Sequence, residues 1–492
     1  MGDRGAGVVF SSTAFLFIFL PLCLAFYFAV PSRWTAARNL VLFLFSLLFY
    51  VWGEAWNCAL ILASIAVNHA LALLIALARA DGPGDWRARA LLGLGIALNL
   101  AVLGYYKYSS WLLREGAGLL AGLGLPLAAG LDSVALPLGI SFFTFHAISY
   151  IMDVHRGEIT VPRNPLSFAC YFAMFPHLVA GPIVRYAHVA EDMEARRIDL
   201  DLFSSGVQRF VIGLAKKVLI ANHVAAVADA AFGHPAAGLG PAAAWLGIAA
   251  YSLQIYFDFS AYSDMAIGLA RMFGFHFQEN FNHPYGAASI QEFWQRWHIS
   301  LSSWLRDYLY IPLGGNRRGR LKTYRNLVLV FLICGLWHGA NWTFLAWGLF
   351  HGLLLVLERL GLSRLLARSP AVPRHAYVLL AVMVGWVLFR SDSLGHAGAY
   401  LAAMFDLGRA RAMPPEMSQT LTPWAWAALV VGAAASPGLG KTAHERLSAV
   451  LSGKISDAGW QAARLGYLMA CLLLSSMFLV AGGYNPFIYF RF

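Results

Sequence analysis

Residues 326–357 read NLVLVFLICGLWHGANWTFLAWGLFHGLLLVL, an uncharged stretch of 32 residues that contains His338. As one straight α-helix this stretch would be about 48 Å long, well beyond the roughly 30 Å hydrocarbon core of a bilayer. Three glycines offer positions where such a helix bends or breaks, namely Gly335, Gly339 and Gly348. His338 lies roughly 18 Å along the helix from Asn326, near the middle of a membrane. An imidazole at that depth must be hydrogen-bonded, because burying it unpaired costs several kcal/mol.

The composition of the whole chain indicates a polytopic membrane protein. The sequence has 492 residues, of which 59% are hydrophobic and 12% are charged, and its mean hydropathy is +0.61. A soluble globular domain is about 45–50% apolar and about 25% charged. A chain with so few charged residues cannot cover a water-facing surface, so we expect an all-α membrane protein.

Apolar runs recur along the chain and predict about ten to twelve transmembrane or re-entrant helices. The runs cover residues 10–30, 40–52, 56–78, 90–106, 134–152, 166–184, 242–257, 326–357, 376–389, 425–435 and 465–481. The first run lacks a cleavage signature, so we interpret it as a retained span. No internal repeat is visible, and the sequence predicts one integral-membrane domain over 1–492, with core motifs in 134–360 and a variable part in 361–460.

The cysteines all lie in apolar segments and show no CxxC spacing. They are Cys23, Cys58, Cys170, Cys334 and Cys471. This pattern is typical of small core residues and predicts neither a disulfide framework nor a metal site. No His/Cys/Asp cluster has the spacing of metal ligands either, so we predict that no metal or other cofactor is bound.

The net charge of +11 is best explained by the positive-inside rule, and not by nucleic-acid binding. The segment GGNRRGRLKTYR, residues 314–325, contains five basic residues and no acidic one. We therefore expect this loop to be cytoplasmic. The basic loops around 31–38 and 79–89 are separated by two short spans, so both can be cytoplasmic with the N-terminus outside. Such a chain would be in contact with membrane lipid.

Basic residues also follow the 326–357 stretch, so the sequence allows two paths for this stretch through the membrane. They are Arg359, Arg364, Arg368 and Arg374. If both flanks are cytoplasmic, the chain doubles back around His338. A bent crossing with one exception to the charge rule is the alternative, and the sequence does not decide between the two.

His338 itself has two interpretations. One is a packed histidine bonded to a carbonyl group, and the other is a functional site, which is the default for ionisable groups at membrane depth. Asn341 follows three residues later, on the same face if the local structure is helical, and would then fix the tautomer of His338. His351 falls about 140° away around a helix, so we predict that it is structural.

A second candidate segment is FWQRWHISLSSWLRDYLYIPLGG, residues 293–315. Its large apolar side chains repeat at helical spacing and form one stripe: Trp294, Trp297, Leu301, Trp304, Leu305 and Tyr308. Three tryptophans with flanking charges are typical of a helix at the headgroup boundary, and this structural interpretation stays open. His298 lies beside Trp297 and Leu301, so we expect it to point inward. The hypothesis that His298 is a site residue depends on its acting together with His338, 40 residues later in the chain.

Two further motifs contain ionisable residues whose expected roles are mainly structural. In YFDFSAYSDM, Asp258 and Asp264 end an apolar run, and we expect them to bond backbone groups or an arginine such as Arg271. In FPHLVAGPIVRY, His177 has no evident partner, and Arg185 suits a phosphate or a lipid headgroup equally well.

Taken together, the motifs resemble the membrane-bound O-acyltransferases, and within them the bacterial alginate O-acetyltransferase branch. In chain order they are VVFSSTAFLFIFLPL, LPLGISFFTFHAISYIMDVHRG, FPHLVAGPIVRY, YFDFSAYSDMAIGLARMFGF, FNHPYGAASIQEFWQRWHISLSSWLRDYLYIPLGGNRRG, GLWHGANWTFLAWGLFHG and the terminal PFIYFRF. The resemblance covers most of residues 8–360 and the last few residues. It is loose over 361–460, from which nothing is transferred.

The resemblance implies transfer of an acetyl group from a cytoplasmic thioester, acetyl-CoA, to a hydroxyl acceptor. The family's essential histidine corresponds to His338, and its second characteristic polar residue corresponds to His298. Asp307 matches a family motif without a firm role. In this branch the acetyl group passes to a periplasmic or membrane-anchored acetyltransferase partner, which modifies an exopolysaccharide. The alternative acceptors are peptidoglycan, cellulose or another exopolysaccharide, or a teichoic acid that receives alanyl instead of acetyl groups. The resemblance also implies that the protein resides in the bacterial inner membrane.

Histidine suits this chemistry, because its ordinary pKa of about 6.5 lies near working pH. We therefore predict that His338 is the general base, oriented by Asn341, while His298 positions the donor or bonds the developing oxyanion. The charged end of acetyl-CoA would lie near four basic residues, Arg317, Arg318, Arg320 and Lys322. A rival from another class is a transporter or proton pathway that uses the buried His and Asp residues as relays.

The terminal motif PFIYFRF has two interpretations. It is aromatic and carries Arg491, so it would either dock the partner protein or anchor the chain at the membrane interface. We favour the anchoring interpretation.

Overall fold

The predicted all-α class is confirmed. The computed structural model describes residues 9–80, 82, 85–123, 134–406, 408, 411–438, 456–482 and 484–487. Within those residues all regular structure is helical, and no strand occurs. The chain divides into two compact units, one of residues up to 204 with 269–278 and one of residues 205–268 with 279 onward.

The first unit is built mainly from the N-terminal helices. A π-helical turn, Phe15–Phe19, leads into α1, and a 3-10 turn, Ala55–Asn57, joins α2 to α3. The helices are α1 (Leu20–Ala29), α2 (Thr35–Glu54), α3 (Cys58–Ala80), α4 (Trp86–Gly122), α5 (Ile140–Arg156), α6 (Pro165–Ala173), α7 (Phe175–Leu178) and α8 (Tyr186–Glu194).

The second unit contains the motifs around both candidate histidines. Its helices are α9 (Leu200–Ala215), α10 (Asn222–Gly233), α11 (Pro241–Met272), α12 (Ile290–Arg296), α13 (Ile299–Leu305), α14 (Arg320–His338), α15 (Trp342–Leu357), α16 (Ser363–Arg368), α17 (Ala371–Arg390), α18 (Leu394–Phe405), α19 (Pro415–Thr420), α20 (Pro423–Ala435) and α21 (Asp457–Val480). The first residues of α9 and the last residues of α11 belong to the first unit. Three π-helical turns extend α9, α13 and α15, at Lys216–Ala221, Arg306–Tyr310 and Glu358–Leu362. Short 3-10 turns lie at Ala236–Gly238 and Pro284–Gly286.

Seven helices of the described part are long and apolar enough to cross a membrane. They span Thr35–Glu54, Cys58–Ala80, Trp86–Gly122, Leu200–Gly233, Trp342–Arg368, Ala371–Arg390 and Asp457–Val480, with two shorter apolar helices at Phe15–Ala29 and Pro423–Ala435. Other apolar runs break into shorter pieces. The run 166–184, for example, forms α6 and α7 and then an irregular segment, because Pro176 and Gly181 interrupt it. The protein is a multi-pass membrane protein.

The 326–357 stretch forms a helical hairpin. Helix α14 ends at His338, the chain is extended at Gly339, and α15 begins at Trp342. A Cβ atom placed on Gly335 would lie 3.5 Å from Cα of Gly348. Successive contacts pair later residues of α14 with earlier residues of α15, so the two helices are antiparallel. The chain therefore doubles back around His338, which was one of the two paths the sequence allowed.

Glycine allows this hairpin to pack closely. A Cβ atom on Gly352 would lie 3.1 Å from Cα of Val328, tighter than ordinary side-chain contact. A methyl group on Gly348 would overlap the carbonyl oxygen of Phe331. The backbones of α14 and α15 thus touch directly along three glycines, which fixes the register of the hairpin and hence the position of its tip.

The first unit is held together by an aromatic core. Its rings contact each other at centroid distances of 5.0–6.2 Å and belong to Phe10, Phe15, Phe19, Phe49 and Phe175. Tyr27 donates a 2.7 Å hydrogen bond to the carbonyl oxygen of Phe273, and the ring of Phe273 lies 6.0 Å from that of Phe175, so the residue that follows α11 belongs to this core.

The start of the terminal motif PFIYFRF packs inside the second unit. Phe487 is buried and its ring lies 5.0 Å from that of Tyr262. Lys217 donates a hydrogen bond to the carbonyl oxygen of Pro486, and Asn222 donates one of 3.1 Å to Asn485. Residues 488–492, including Arg491, lie outside the described residues, so the docking and anchoring interpretations of this motif both stay predictions.

Candidate functional site

His338 lies at the tip of the hairpin inside an aromatic cage. Its side chain is 8% exposed. Its ring centroid is 4.8 Å from that of Trp337, 5.2 Å from Trp347 and 5.1 Å from Phe389. These rings come from three helices, α14, α15 and α17. The surrounding rings shield His338 from bulk water, which strengthens electrostatic interactions at the site and protects reactive intermediates from hydrolysis.

The expectation that Asn341 shares a helical face with His338 is wrong, because the chain leaves the helix between them. Asn341 is extended and caps α15: its Oδ1 accepts a 3.1 Å hydrogen bond from the backbone N–H of Thr343. Its Nδ2 donates a 2.9 Å hydrogen bond to the carbonyl oxygen of Asp392. The amide is therefore used to begin a helix, as asparagine commonly is at this position.

The predicted continuous helix along the stripe from Trp294 to Tyr308 is also wrong. The chain breaks between α12 and α13, where Trp297 is extended and His298 has a φ of 44°. The tryptophans of the predicted stripe are buried, at 4–8% exposure, so they pack in the protein interior and not at a headgroup surface. His298 is 1% exposed and points inward, as expected.

A residue that the sequence did not single out holds His298 in place. Asn280 lies 18 positions earlier, and its Oδ1 is 3.1 Å from Nδ1 of His298. The same oxygen accepts hydrogen bonds from the backbone N–H and the hydroxyl of Ser300, at 3.2 and 2.8 Å. The only sequence signal is an asparagine in a loop before a Pro-containing turn, which is too common to indicate a site.

One indole connects the two histidines. The Trp337 ring centroid is 6.4 Å from that of His298 and 4.8 Å from that of His338. Burial lowers the pKa of His298 to about 3, so this ring is neutral at physiological pH. The site thus places two buried imidazoles beside the same indole, and burial keeps one of them, His298, neutral.

His351 packs in an aromatic cluster beside this site, on the other side of Trp347. Its ring is fully buried and lies 5.2 Å from Trp347 and 5.0 Å from Trp294. Within the described residues neither of its ring nitrogens has a hydrogen-bond partner. These contacts are those of a packing residue, and a structural role for His351 stays our interpretation.

The predicted donor-binding residues lie exposed at the open end of the hairpin. They are Arg317, Arg318, Arg320 and Lys322. Arg359, which follows α15, donates a 3.0 Å hydrogen bond to Asn316 of the same loop. Both basic flanks therefore meet at one end of the hairpin, opposite His338. Asp307 is ion-paired with the neighbouring Arg306 at 2.7 Å, at a partly exposed position before this loop.

The aspartates of α11 are engaged by cations, as the structural interpretation expected, although the cations come from α9 and the π-helical turn after it. Asp264 pairs with Arg209 at 2.6 Å and with Lys216 at 2.8 Å. Asp258 pairs with Lys217 at 2.8 Å, and both side chains are almost completely buried, at 1% and 3% exposure.

Breaking the buried pair is expected to destabilise the protein strongly. In Asp258→Asn the Lys217 charge stays buried without its counter-ion, which costs about 3–5 kcal/mol. The double variant Lys217→Met/Asp258→Asn removes both charges and should recover most of the lost thermal stability. Thermal unfolding of the detergent-solubilised protein measures the stability of both variants. Glu158→Gln is the control: it removes an exposed ion pair and should change the thermal midpoint very little. A double variant as unstable as Asp258→Asn alone would contradict this expectation.

His177 belongs to a separate buried cluster in the first unit. Its Nε2 is 2.8 Å from the carbonyl oxygen of Tyr171, and its ring lies 4.6 Å from that of His146. Arg185 immediately precedes α8 and is half-buried. Among the described residues, no group of three or more His, Cys, Asp and Glu side chains is placed to hold a metal ion.

Comparison with known proteins assigns the family. The sequence profile of the membrane-bound O-acyltransferases matches residues 138–390. The chain belongs to this family. It is 46% identical to proteins assigned as alginate O-acetylases in Azotobacter vinelandii and Pseudomonas putida, over 82% of this chain and 79% and 81% of those proteins. It is 36% identical to the peptidoglycan O-acetyltransferase of Helicobacter pylori, over 81% of this chain and 80% of that protein.

Membership in this family makes the protein an O-acyltransferase. The matched region, residues 138–390, contains both candidate histidines, Asn280 and the hairpin α14–α15. The family resemblance stated from the motifs is therefore confirmed. The roles of individual residues stay proposals.

Proposed function

We propose that the protein transfers an acetyl group from cytoplasmic acetyl-CoA across the bacterial inner membrane for O-acetylation of an exopolysaccharide such as alginate. The relatives assigned as alginate O-acetylases support the acetyl group and the class of acceptor. A periplasmic or membrane-anchored acetyltransferase partner would receive the acetyl group and deliver it to the polymer. The proposal includes no bound cofactor, because acetyl-CoA is a substrate.

The observation that carries this proposal is the hairpin itself. It places a buried imidazole, His338, at one end of α14 and α15, and an exposed basic cluster at the other. Basic residues collect on the cytoplasmic side of membrane proteins. The hairpin thus joins a surface that attracts the phosphates of CoA to a dry site where the thioester can react.

In the proposed reaction His338 is the general base. The acceptor hydroxyl oxygen attacks the thioester carbonyl carbon, and His338 takes the hydroxyl proton as the new C–O bond forms. The tetrahedral intermediate then collapses, the C–S bond breaks, and the imidazolium returns the proton to the leaving sulfur. The products are an O-acetyl ester and free CoA thiol, and no covalent acyl-enzyme is required.

The test is release of free thiol from acetyl-CoA by the purified protein in lipid nanodiscs, with and without a hydroxyl acceptor. We expect slow hydrolysis alone and faster release with acceptor. The double variant Arg317→Glu/Arg318→Glu should raise KM for acetyl-CoA about tenfold, since favourable charge is replaced by repulsion. Added salt should raise the wild-type KM by screening the attraction, and it should not raise that of the variant.

A matched control distinguishes a local effect of the basic cluster from a general effect of positive charge on the protein surface. Arg87 and Arg89 are exposed at the start of α4, and the same double reversal there should leave KM unchanged. Equal KM increases in both double variants would show that the basic cluster is not a donor site. No thiol release under any condition would overturn acetyl-CoA as the donor.

Peptidoglycan is the second candidate acceptor, favoured by the similarity to the Helicobacter pylori peptidoglycan O-acetyltransferase. Disruption of the gene followed by acetyl analysis of secreted polysaccharide and of purified peptidoglycan distinguishes the two. Loss of acetyl groups from the secreted polymer alone supports the first proposal.

A further inference from the structure

Asn280 forms a dense hydrogen-bond network around His298. Its Oδ1 faces Nδ1 of His298 and both donors of Ser300, and its Nδ2 donates a 3.0 Å hydrogen bond to the hydroxyl of Ser263. Asn280 and Ser300 are fully buried. A carboxamide with all its contacts fixed in the interior is rigid, and it can set the chemistry of the group it touches.

The orientation of this amide follows from one backbone group. The N–H of Ser300 can only donate, so the amide atom 3.2 Å from it must be the oxygen. An oxygen at that position can only accept a hydrogen bond from His298, whose Nδ1 therefore carries the proton. The hydroxyl of Ser300 lies 3.3 Å from the same Nδ1 but donates to Asn280 over the shorter distance of 2.8 Å.

The other nitrogen of His298 is then defined as well. A neutral imidazole with its proton on Nδ1 has a lone pair and no proton on Nε2. Nε2 is buried, and within the described residues it has no hydrogen-bond partner. Buried polar atoms without a partner are uncommon in proteins and call for a water molecule or a ligand.

The backbone of His298 is held in the same way. Its φ of 44° lies in the left-handed region, which non-glycine residues rarely adopt. The N–H of Ile299 donates a 2.9 Å hydrogen bond to the carbonyl oxygen of Asn280, and Asn282 donates another of 2.9 Å to Arg296. The segment from 280 to 282 thus clamps both sides of the break between α12 and α13, and this surrounding structure maintains the strained residue.

We infer that Asn280 is a positioning residue that holds the proton of His298 on Nδ1, so that Nε2 accepts a hydrogen bond from an N–H or O–H group of a bound substrate. This inference rests on the proposed acetyl transfer. It changes one sequence-based expectation: neutral His298 has no N–H left to bond a developing oxyanion. The substrate group is either an amide N–H of the CoA arm or a second, non-reacting hydroxyl of the acceptor, because the reacting hydroxyl gives its proton to His338.

Kinetics of two Asn280 variants test the inference. Asn280→Leu removes the acceptor oxygen and should lower the rate of acetyl transfer roughly 100-fold. Asn280→Asp keeps an acceptor oxygen and should retain much more activity at high pH. Its carboxylate favours the protonated ring and raises the pKa of His298, so the ratio of variant to wild-type activity should fall as the pH is lowered.

The kinetic parameter that changes in Asn280→Leu identifies the substrate group that His298 contacts. If the CoA arm is bound, Asn280→Leu raises KM for acetyl-CoA in hydrolysis without acceptor. If the second hydroxyl of the acceptor is bound, hydrolysis is nearly unchanged and only transfer to the acceptor falls. Asn68→Leu is the matched control: Asn68 is a buried amide paired with Asn99 in the first unit, and its variant should keep the wild-type pH profile.

A spectroscopic measurement is independent of turnover. Protein labelled with ¹⁵N-histidine should show, in the difference between wild type and His298→Gln, a ring protonated on Nδ1 and unprotonated on Nε2. A ring protonated on Nε2 in the wild type would overturn the inference, as would wild-type rates in Asn280→Leu. If the wild-type protein releases no thiol while the spectrum shows the expected tautomer, the proposed donor is wrong and the placement of the proton still holds.

Discussion

Replacing His338 by glutamine is expected to reduce acetyl transfer by a factor of about 10²–10⁴, the usual contribution of a general base. Glutamine has similar size and keeps hydrogen-bonding atoms, so the aromatic cage of Trp337, Trp347 and Phe389 stays filled. The loss should appear in kcat, with KM for acetyl-CoA changed little, because the donor is bound at the far end of the hairpin. Thiol release at saturating acetyl-CoA and acceptor measures the effect.

The control is a histidine of the neighbouring cluster that the proposed chemistry does not use. His351→Leu keeps an apolar side chain among the same rings and removes two buried nitrogens that have no hydrogen-bond partner in the described structure. We expect transfer within a few-fold of wild type and an unchanged or higher thermal midpoint, because a buried unsatisfied polar group is lost. Wild-type activity in His338→Gln would refute the role of His338 as base.

The second large effect is expected at Gly335, where the two helices of the hairpin touch. In Gly335→Ala the new methyl group overlaps the carbonyl oxygen of Phe344 and approaches Cα of Gly348. Overpacking of this kind costs about 1–3 kcal/mol and forces the backbones apart. Since His338 follows three residues later at the tip, transfer activity should fall together with the thermal midpoint.

Gly104→Ala provides the matched control for this variant. Gly104 also lies within a long helix, α4, but an added Cβ atom there meets nothing within 4 Å. Alanine favours the helix over glycine by up to about 1 kcal/mol, so this variant should be as stable as the wild type or slightly more so. If Gly335→Ala behaved like Gly104→Ala, the close contact would not govern the position of His338.

Several features of the site were predictable from the sequence. The burial of His298 follows from its position between Trp297 and Leu301, and the break near His338 follows from a stretch too long for one crossing. Each of these depends on neighbours within a few positions or on the length of one segment, which periodicity and composition report directly.

Other features were not predictable, because they depend on the path of the chain. Asn341 lies at helical spacing from His338 in the sequence. Because the backbone is extended at Gly339, the two residues do not share a helix, and Asn341 caps α15. The aromatic stripe from Trp294 to Tyr308 had helical periodicity, yet the left-handed His298 divides it. A period in the sequence shows which residues would share a face, and one residue with unusual backbone angles cancels that inference.

By itself the sequence determined the membrane class, the helical fold and the family, since these follow from total apolar content and from motifs of contiguous residues. It also singled out the two candidate histidines, whose roles stay predictions. Only the tertiary structure decided that the chain doubles back at His338 and that Asn280 defines the proton position on His298. The physical reason is that glycine contacts between two helices and a hydrogen bond across 18 positions depend on which backbones meet in space. No local pattern of side chains contains that information.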